Sequence, residues 1–190
     1  MKHTLIPIAN FGVTLSELPG RVALFLEVGL CEVKCKGCHS PHLTCRNCNL
    51  YTDKQVEMLI DCYLKTEPDI DAVVFMGGLH NSLVDKEALR LLIERIKVPC
   101  GIYSGQEEDL DVMSEWKNLE WLKVGKYDEC FGGLESPTTN QRFYIKQPTF
   151  HFDAYGVYDY TSHFWEDNTK LFTRKEDIVV KQINPSTNSI

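Results

Sequence analysis

The sequence predicts an α/β fold, a short and incomplete (β/α) barrel with a mostly parallel sheet. Apolar runs of strand length alternate with segments whose apolar residues recur at helical spacing, which implies right-handed βαβ units. Glycine turns stand just after the strand-like runs, at Gly77-Gly78, Ser104-Gly105 and Gly125. Four such units fit before about residue 125, half the complement of a closed eight-stranded barrel.

The elements follow in order. Pro19-Gly20 marks a turn, and the mostly apolar run from Val22 to Gly29 reads as a buried strand. Thr52-Asp53-Lys54-Gln55 fits a capping box, with Val56, Leu59, Ile60, Tyr63 and Leu64 at helical spacing behind it. A second strand runs from Asp71 to Met76. Asp85 caps a helix whose apolar positions include Ala88, Leu91, Leu92 and Ile96. Val98 to Tyr103 gives a third strand, Leu110, Met113 and Trp116 a short helix, and Trp121 to Val124 a fourth strand. Residues 126–147 read as glycine-rich and polar, and the aromatic stretch from Phe150 to Trp165 as one or more edge strands. One domain is expected over residues 1–165. A C-terminal extension covers 166–190, its end disordered.

Composition narrows the function. At 190 residues, 43% apolar and 25% charged, the chain reads as an ordinary globular protein. A formal charge of −7 argues against a nucleic-acid binder, which needs a basic face. The start lacks the pattern of a secretory signal, and no apolar run is long enough to span a bilayer. The expected location is the cytoplasm. There, clustered cysteines bind metal or do redox chemistry more often than they form bridges.

Five of the eight cysteines fall in the segment "CEVKCKGCHSPHLTCRNC", residues 31–48. Cys31, Cys35 and Cys38 form a CxxxCxxC loop directly after a strand. Three thiolates on a four-iron cluster leave one iron open to an added ligand. A second reading pairs Cys35 and Cys38 with Cys45 and Cys48 as a four-cysteine zinc knuckle, a closed structural site serving a binding module. Its six-residue spacer is short, and it leaves Cys31 unexplained. Cys62, Cys100 and Cys130 read as ordinary small residues, His39 and His80 as loop histidines, and Lys123 as a solvated lysine.

The constellation resembles the radical S-adenosylmethionine (SAM) enzymes, and within them the activating proteins of anaerobic ribonucleoside-triphosphate reductase. The matching text is "LPGRVALFLEVGLCEVKCKGCHSPHL", "VVFMGGLH", "GIYSG" and "LKVGKYDECFGGLESPTTNQRFY", spread over residues 18–144. The resemblance implies a barrel of the radical SAM type. It also implies a [4Fe-4S] cluster held by Cys31, Cys35 and Cys38, with SAM on the open iron. In such enzymes SAM is split reductively to a 5′-deoxyadenosyl radical, which here would generate the glycyl radical of the reductase. Implied partners are that reductase and an electron donor such as flavodoxin or ferredoxin. Gly37, Cys38 and His39 would border the adenine of SAM. Gly77 and Gly78 would receive its amino group, and Ser104 is a further contact. Leu79 stands where the family's GGE motif has a glutamate. An activase of another glycyl-radical enzyme, or another small radical SAM enzyme, is the nearer alternative to this reading. Cys45 and Cys48 look additional to the family pattern, with a local structural or redox role.

Overall fold

The computed structural model describes residues 4–44, 48–152 and 158–173. Cys45, most of the C-terminal extension and its expected disordered end lie outside the described residues. Eight strands form one sheet. They are β1 (Leu5–Thr14), β2 (Ala23–Val28), β3 (Asn49–Thr52), β4 (Ala72–Met76), β5 (Cys100–Tyr103), β6 (Leu119–Val124), β7 (Arg142–Phe152) and β8 (Tyr158–Asp167). Three helices, α1 (Asp53–Thr66), α2 (Lys86–Arg95) and α3 (Leu110–Ser114), supply the crossovers.

The strand order is β3-β1-β2-β4-β5-β6-β7-β8. Neighbours β2-β4, β4-β5 and β5-β6 are parallel, and the other four pairings are antiparallel. The expected short, incomplete (β/α) barrel with a mostly parallel sheet is therefore not the fold of this chain. The sheet is mixed and open, with β3 and β8 at its edges and three short helices. Connectivity is the reason. A parallel pair needs a crossover of a dozen or more residues, usually a helix. None follows β6 among the described residues, so the chain returns antiparallel as β7. At the other end the short 15–22 connection lets β1 pair antiparallel with β2.

The three inner helices were legible, with one shift of phase. Thr52 and Gln55 form the capping box of α1, Gln55 N donating to Thr52 Oγ1 and Thr52 N to Gln55 Oε1. Such a cap contributes about 1 kcal/mol. Asp85 caps α2 by accepting from Ala88 N at 2.9 Å. The buried stripe of α2 is Leu89, Leu92 and Ile93, while Leu91 is exposed. Two strands were not anticipated. Ile6 and Ile8 bury one face of β1 although Asn10 interrupts its apolar run, and β3 is only four residues long. β7 begins at Arg142, inside the stretch read as polar loop.

The two faces of the sheet differ. Val56 and Ile60 of α1, the α2 stripe and Met113 of α3 pack on Leu24, Leu26, Val73, Phe75 and Ile102. The opposite face carries a smaller cluster of Ala23, Ala72, Val74, Trp121 and Phe143, covered by Leu18 and Leu134 from loops. Among the described residues no α-helix packs on that second face; Phe172, after a short 3-10 turn, lies against Phe143.

Candidate functional site

Four parallel strands, β2, β4, β5 and β6, end side by side, and the loops leaving them meet at their carboxyl ends, where ligands bind in sheets of this kind. One cross-strand row forms the floor there. Glu27 pairs with Met76, Met76 with Tyr103, Tyr103 with Lys123, and Lys123 with Phe143. A cavity of about 180 Å³ opens over Met76, Tyr103 and Lys123. Its wall takes in Cys31, Cys35, Cys38 and His39 from the loop after β2, and Gly77 and Gly78 after β4. Ser104, after β5, completes the set. Of the residues expected to hold the cluster or SAM, Gly37 alone stays off the cavity wall.

The cysteine loop is wound tightly. Leu30, Lys34 and Gly37 all have positive φ, at 54°, 52° and 68°, and for the two non-glycine residues this conformation is strained. The turns bring the three cysteines to one cavity. Cys31 N donates to Leu43 O at 2.9 Å and closes the loop. Ser40 N donates to Cys38 Sγ at 3.4 Å.

Neighbouring segments hold the loop in place. The buried Asn81 donates from Nδ2 to Gly29 O at 2.8 Å and to Leu30 O at 3.3 Å. His42 pairs with the buried Glu27 at 3.0 Å. On the outer side Lys36 bridges to Asp128 and pairs with Glu129 at 3.1 Å, and His39 packs on the Tyr127 ring at 4.0 Å. Gly37 is required for this docking. A Cβ there would stand 2.6 Å from Glu129 Oε2 and 2.8 Å from Glu129 Cβ. Cys48 is not on the cavity wall. It lies against Gly29, at the root of the loop.

The Gly77-Gly78 turn serves fold and site together. Both residues have φ near the left-handed region, 108° and 105°, which only glycine adopts freely. Leu79 is buried and joins the helix-side core as well as the cavity wall. Beside it, Glu108 supplies a carboxylate that the sequence did not reveal. Its Oε1 accepts from Ser104 Oγ at 2.6 Å and lies 2.6 Å from His80 Nε2. Its side chain is 7% exposed. His80 is thus a held residue rather than a free loop histidine.

Lys123 also departs from its solvated reading. Burial pushes its ammonium down to about 8, against the opposite pull of Cys35, Glu17 and Cys38. Its Nζ lies 5.7 Å from the centroid of the Tyr103 ring.

Among the described residues no three His, Cys, Asp or Glu side chains are arranged to hold a single metal ion. A four-iron cluster makes a different demand. Each ligated iron takes its own thiolate, so three ligands surround a volume rather than a point. Three cysteines around one cavity fit that demand.

The sequence profile of the family described as "4Fe-4S single cluster domain" matches residues 19–120. The chain belongs to that family. No curated protein and no solved structure matches it. The matched span of this iron–sulfur domain runs from the turn before β2 into β6, and so contains the cysteine loop, the glycine turn and Ser104. Among the described residues no helix is long and apolar enough to cross a membrane.

Proposed function

We propose that this iron–sulfur domain is a radical SAM enzyme that generates the glycyl radical of an anaerobic ribonucleoside-triphosphate reductase. The supporting observation is that Cys31, Cys35 and Cys38 share one cavity with Gly77, Gly78 and Ser104. In this reading the three cysteines hold the cluster, and SAM lies over the floor row between the cysteine loop and the glycine turn. The chemistry supplied by the bound cluster and SAM is one-electron cleavage of the sulfonium and removal of a hydrogen atom from a glycine backbone.

The remaining residues orient and exclude. Cys38 and His39 border the adenine side, with Tyr127 fixing the His39 ring, while Gly37, off the cavity wall, lets the loop dock against Glu129. The methionyl ammonium meets the Gly77-Gly78 turn. Leu79 cannot accept a hydrogen bond through its side chain, and His80 and Ser104 take over that part of the wall. Glu108, 2.6 Å from His80 Nε2, fixes the ring at this part of the wall. The low-potential electron donor, flavodoxin or ferredoxin in kind, and the reductase complete the system in the cytoplasm.

The test is made on anaerobically purified full chain. Wild-type protein should carry four irons with sulfide and, once reduced, convert SAM to 5′-deoxyadenosine. Cys31→Ala, Cys35→Ala and Cys38→Ala should each abolish the conversion, whereas Cys45→Ala should keep much of it. Mixing with the reductase should produce a glycyl radical seen by electron paramagnetic resonance. Colourless protein with one zinc, or full turnover by Cys31→Ala, would sink the proposal. A glycyl radical raised only in a different enzyme would reassign the substrate.

A further inference from the structure

Lys123 sits on the cavity floor between Tyr103 and Phe143 in the cross-strand row. Among the described residues it is the one lysine or arginine lining the cavity that Cys31, Cys35 and Cys38 also line. The face of the Tyr103 ring, 5.7 Å from Nζ, holds the ammonium in the cavity by cation–π attraction. Glu27, the acidic member of the same row, lies three strands away and is paired with His42. Glu17 and Glu135 also act on the Lys123 charge, but neither lines the cavity, where Cys35 and Cys38 face it.

We propose that the Lys123 ammonium is the counter-charge of the cluster held by Cys31, Cys35 and Cys38, and that it raises the cluster's reduction potential. The inference rests on the cluster assignment made above and adds a role for a residue outside the loop. Three thiolates make the bound group anionic. Reduction transfers one electron from a low-potential one-electron donor to the cluster and adds one unit of negative charge, with no bond made or broken. A fixed cation in a half-enclosed cavity stabilises the more negative state more strongly, because little water screens it. Net charge around a cluster is one of the protein's means of setting its potential. Lys123 is a positioning residue in this sense: it acts on the electron's arrival.

The experiment is an anaerobic potentiometric titration of the reconstituted full chain, read by electron paramagnetic resonance of the reduced cluster. Iron content is measured first. Lys123→Met should lower the ratio of reduced to oxidised cluster about tenfold at a fixed solution potential, about 59 mV for a one-electron couple. Lys123→Arg should stay near wild type. Lys97→Gln, which removes an exposed charge paired with Asp61 on the helix side, should not move the midpoint. An unchanged midpoint in a Lys123→Met protein with four irons overturns the inference and leaves the cluster assignment standing. Wild-type protein without iron removes both. Where Lys123→Met loses its cluster, Lys123→Gln makes the same comparison. Loss of iron in both neutral variants with retention in Lys123→Arg supports the counter-charge role, and loss in all three overturns it.

Discussion

Glu108 and Lys123 show what single residues contribute that their neighbours in sequence do not announce. Glu108 sits in the acidic run "GQEEDL", where nothing distinguishes it from Glu107. Its meaning comes from His80, 28 positions earlier, and from Ser104 on the preceding turn. Two hydrogen bonds to one buried carboxylate oxygen hold both partners at the cavity wall. Glu108→Gln keeps the shape and removes the charge, so under the proposed function it should weaken SAM binding about tenfold, in line with the loss of a charged hydrogen bond. Equilibrium dialysis on iron-loaded protein measures it, and an unchanged affinity would take Glu108 out of the site. The cysteines were the reverse case. Cys31, Cys35 and Cys38 were legible because their spacing is itself the chemistry, and a short loop carries all three to one place. Cys48 was legible only as an addition, and its position against Gly29 puts it beneath the loop.

At the scale of elements, the loop after β2 depends on its neighbours for its shape. It carries two non-glycine residues with positive φ, which persist only where contacts hold them. Asn81 is the central tie, buried and bonded to the carbonyls of Gly29 and Leu30. Asn81→Ala should leave those buried carbonyls unpaired and cost about 1–3 kcal/mol. The loss would appear as a lower urea midpoint, together with slower iron uptake. A midpoint equal to wild type would mean that the loop keeps its form without this tie. The helices repeat the lesson in milder form. Capping at Thr52 and Asp85 is local chemistry and was readable. The phase of α2 was not, because Leu89 and Leu91 are equally apolar. Only packing on the sheet decides that Leu89 turns inward and Leu91 outward.

For the whole molecule, the central strands carry a buried thiol that links stability to pH. Burial pushes the Cys100 thiol far above its usual 9.0. Above pH 9 the unfolded chain releases this proton while the folded chain keeps it. The native state then binds more protons, and stability falls as pH rises. By pH 10.5 this group alone should cost about 2 kcal/mol. Urea unfolding from pH 8 to 10.5 should show a steeper decline in wild type than in Cys100→Ala, whose absolute stability is lower from the start. Equal slopes would show that Cys100 ionises in the folded state.

The inner strands, their three helices, the glycine turns and the cysteine loop follow from the sequence alone. Each is written in local chemistry: apolar period, cap, left-handed φ and thiolate spacing. Even the gathering of those turns at one sheet edge follows from strand order within βαβ units. The outer sheet does not. Whether the chain after β6 closes a barrel or turns back depends on long-range pairing, and the missing crossover helix sends it antiparallel into β7 and β8. The same holds for Glu108 on His80, Asn81 under the loop and Lys123 on Tyr103. These contacts join residues far apart in the chain, so their energies exist only once the sheet has brought its strands together.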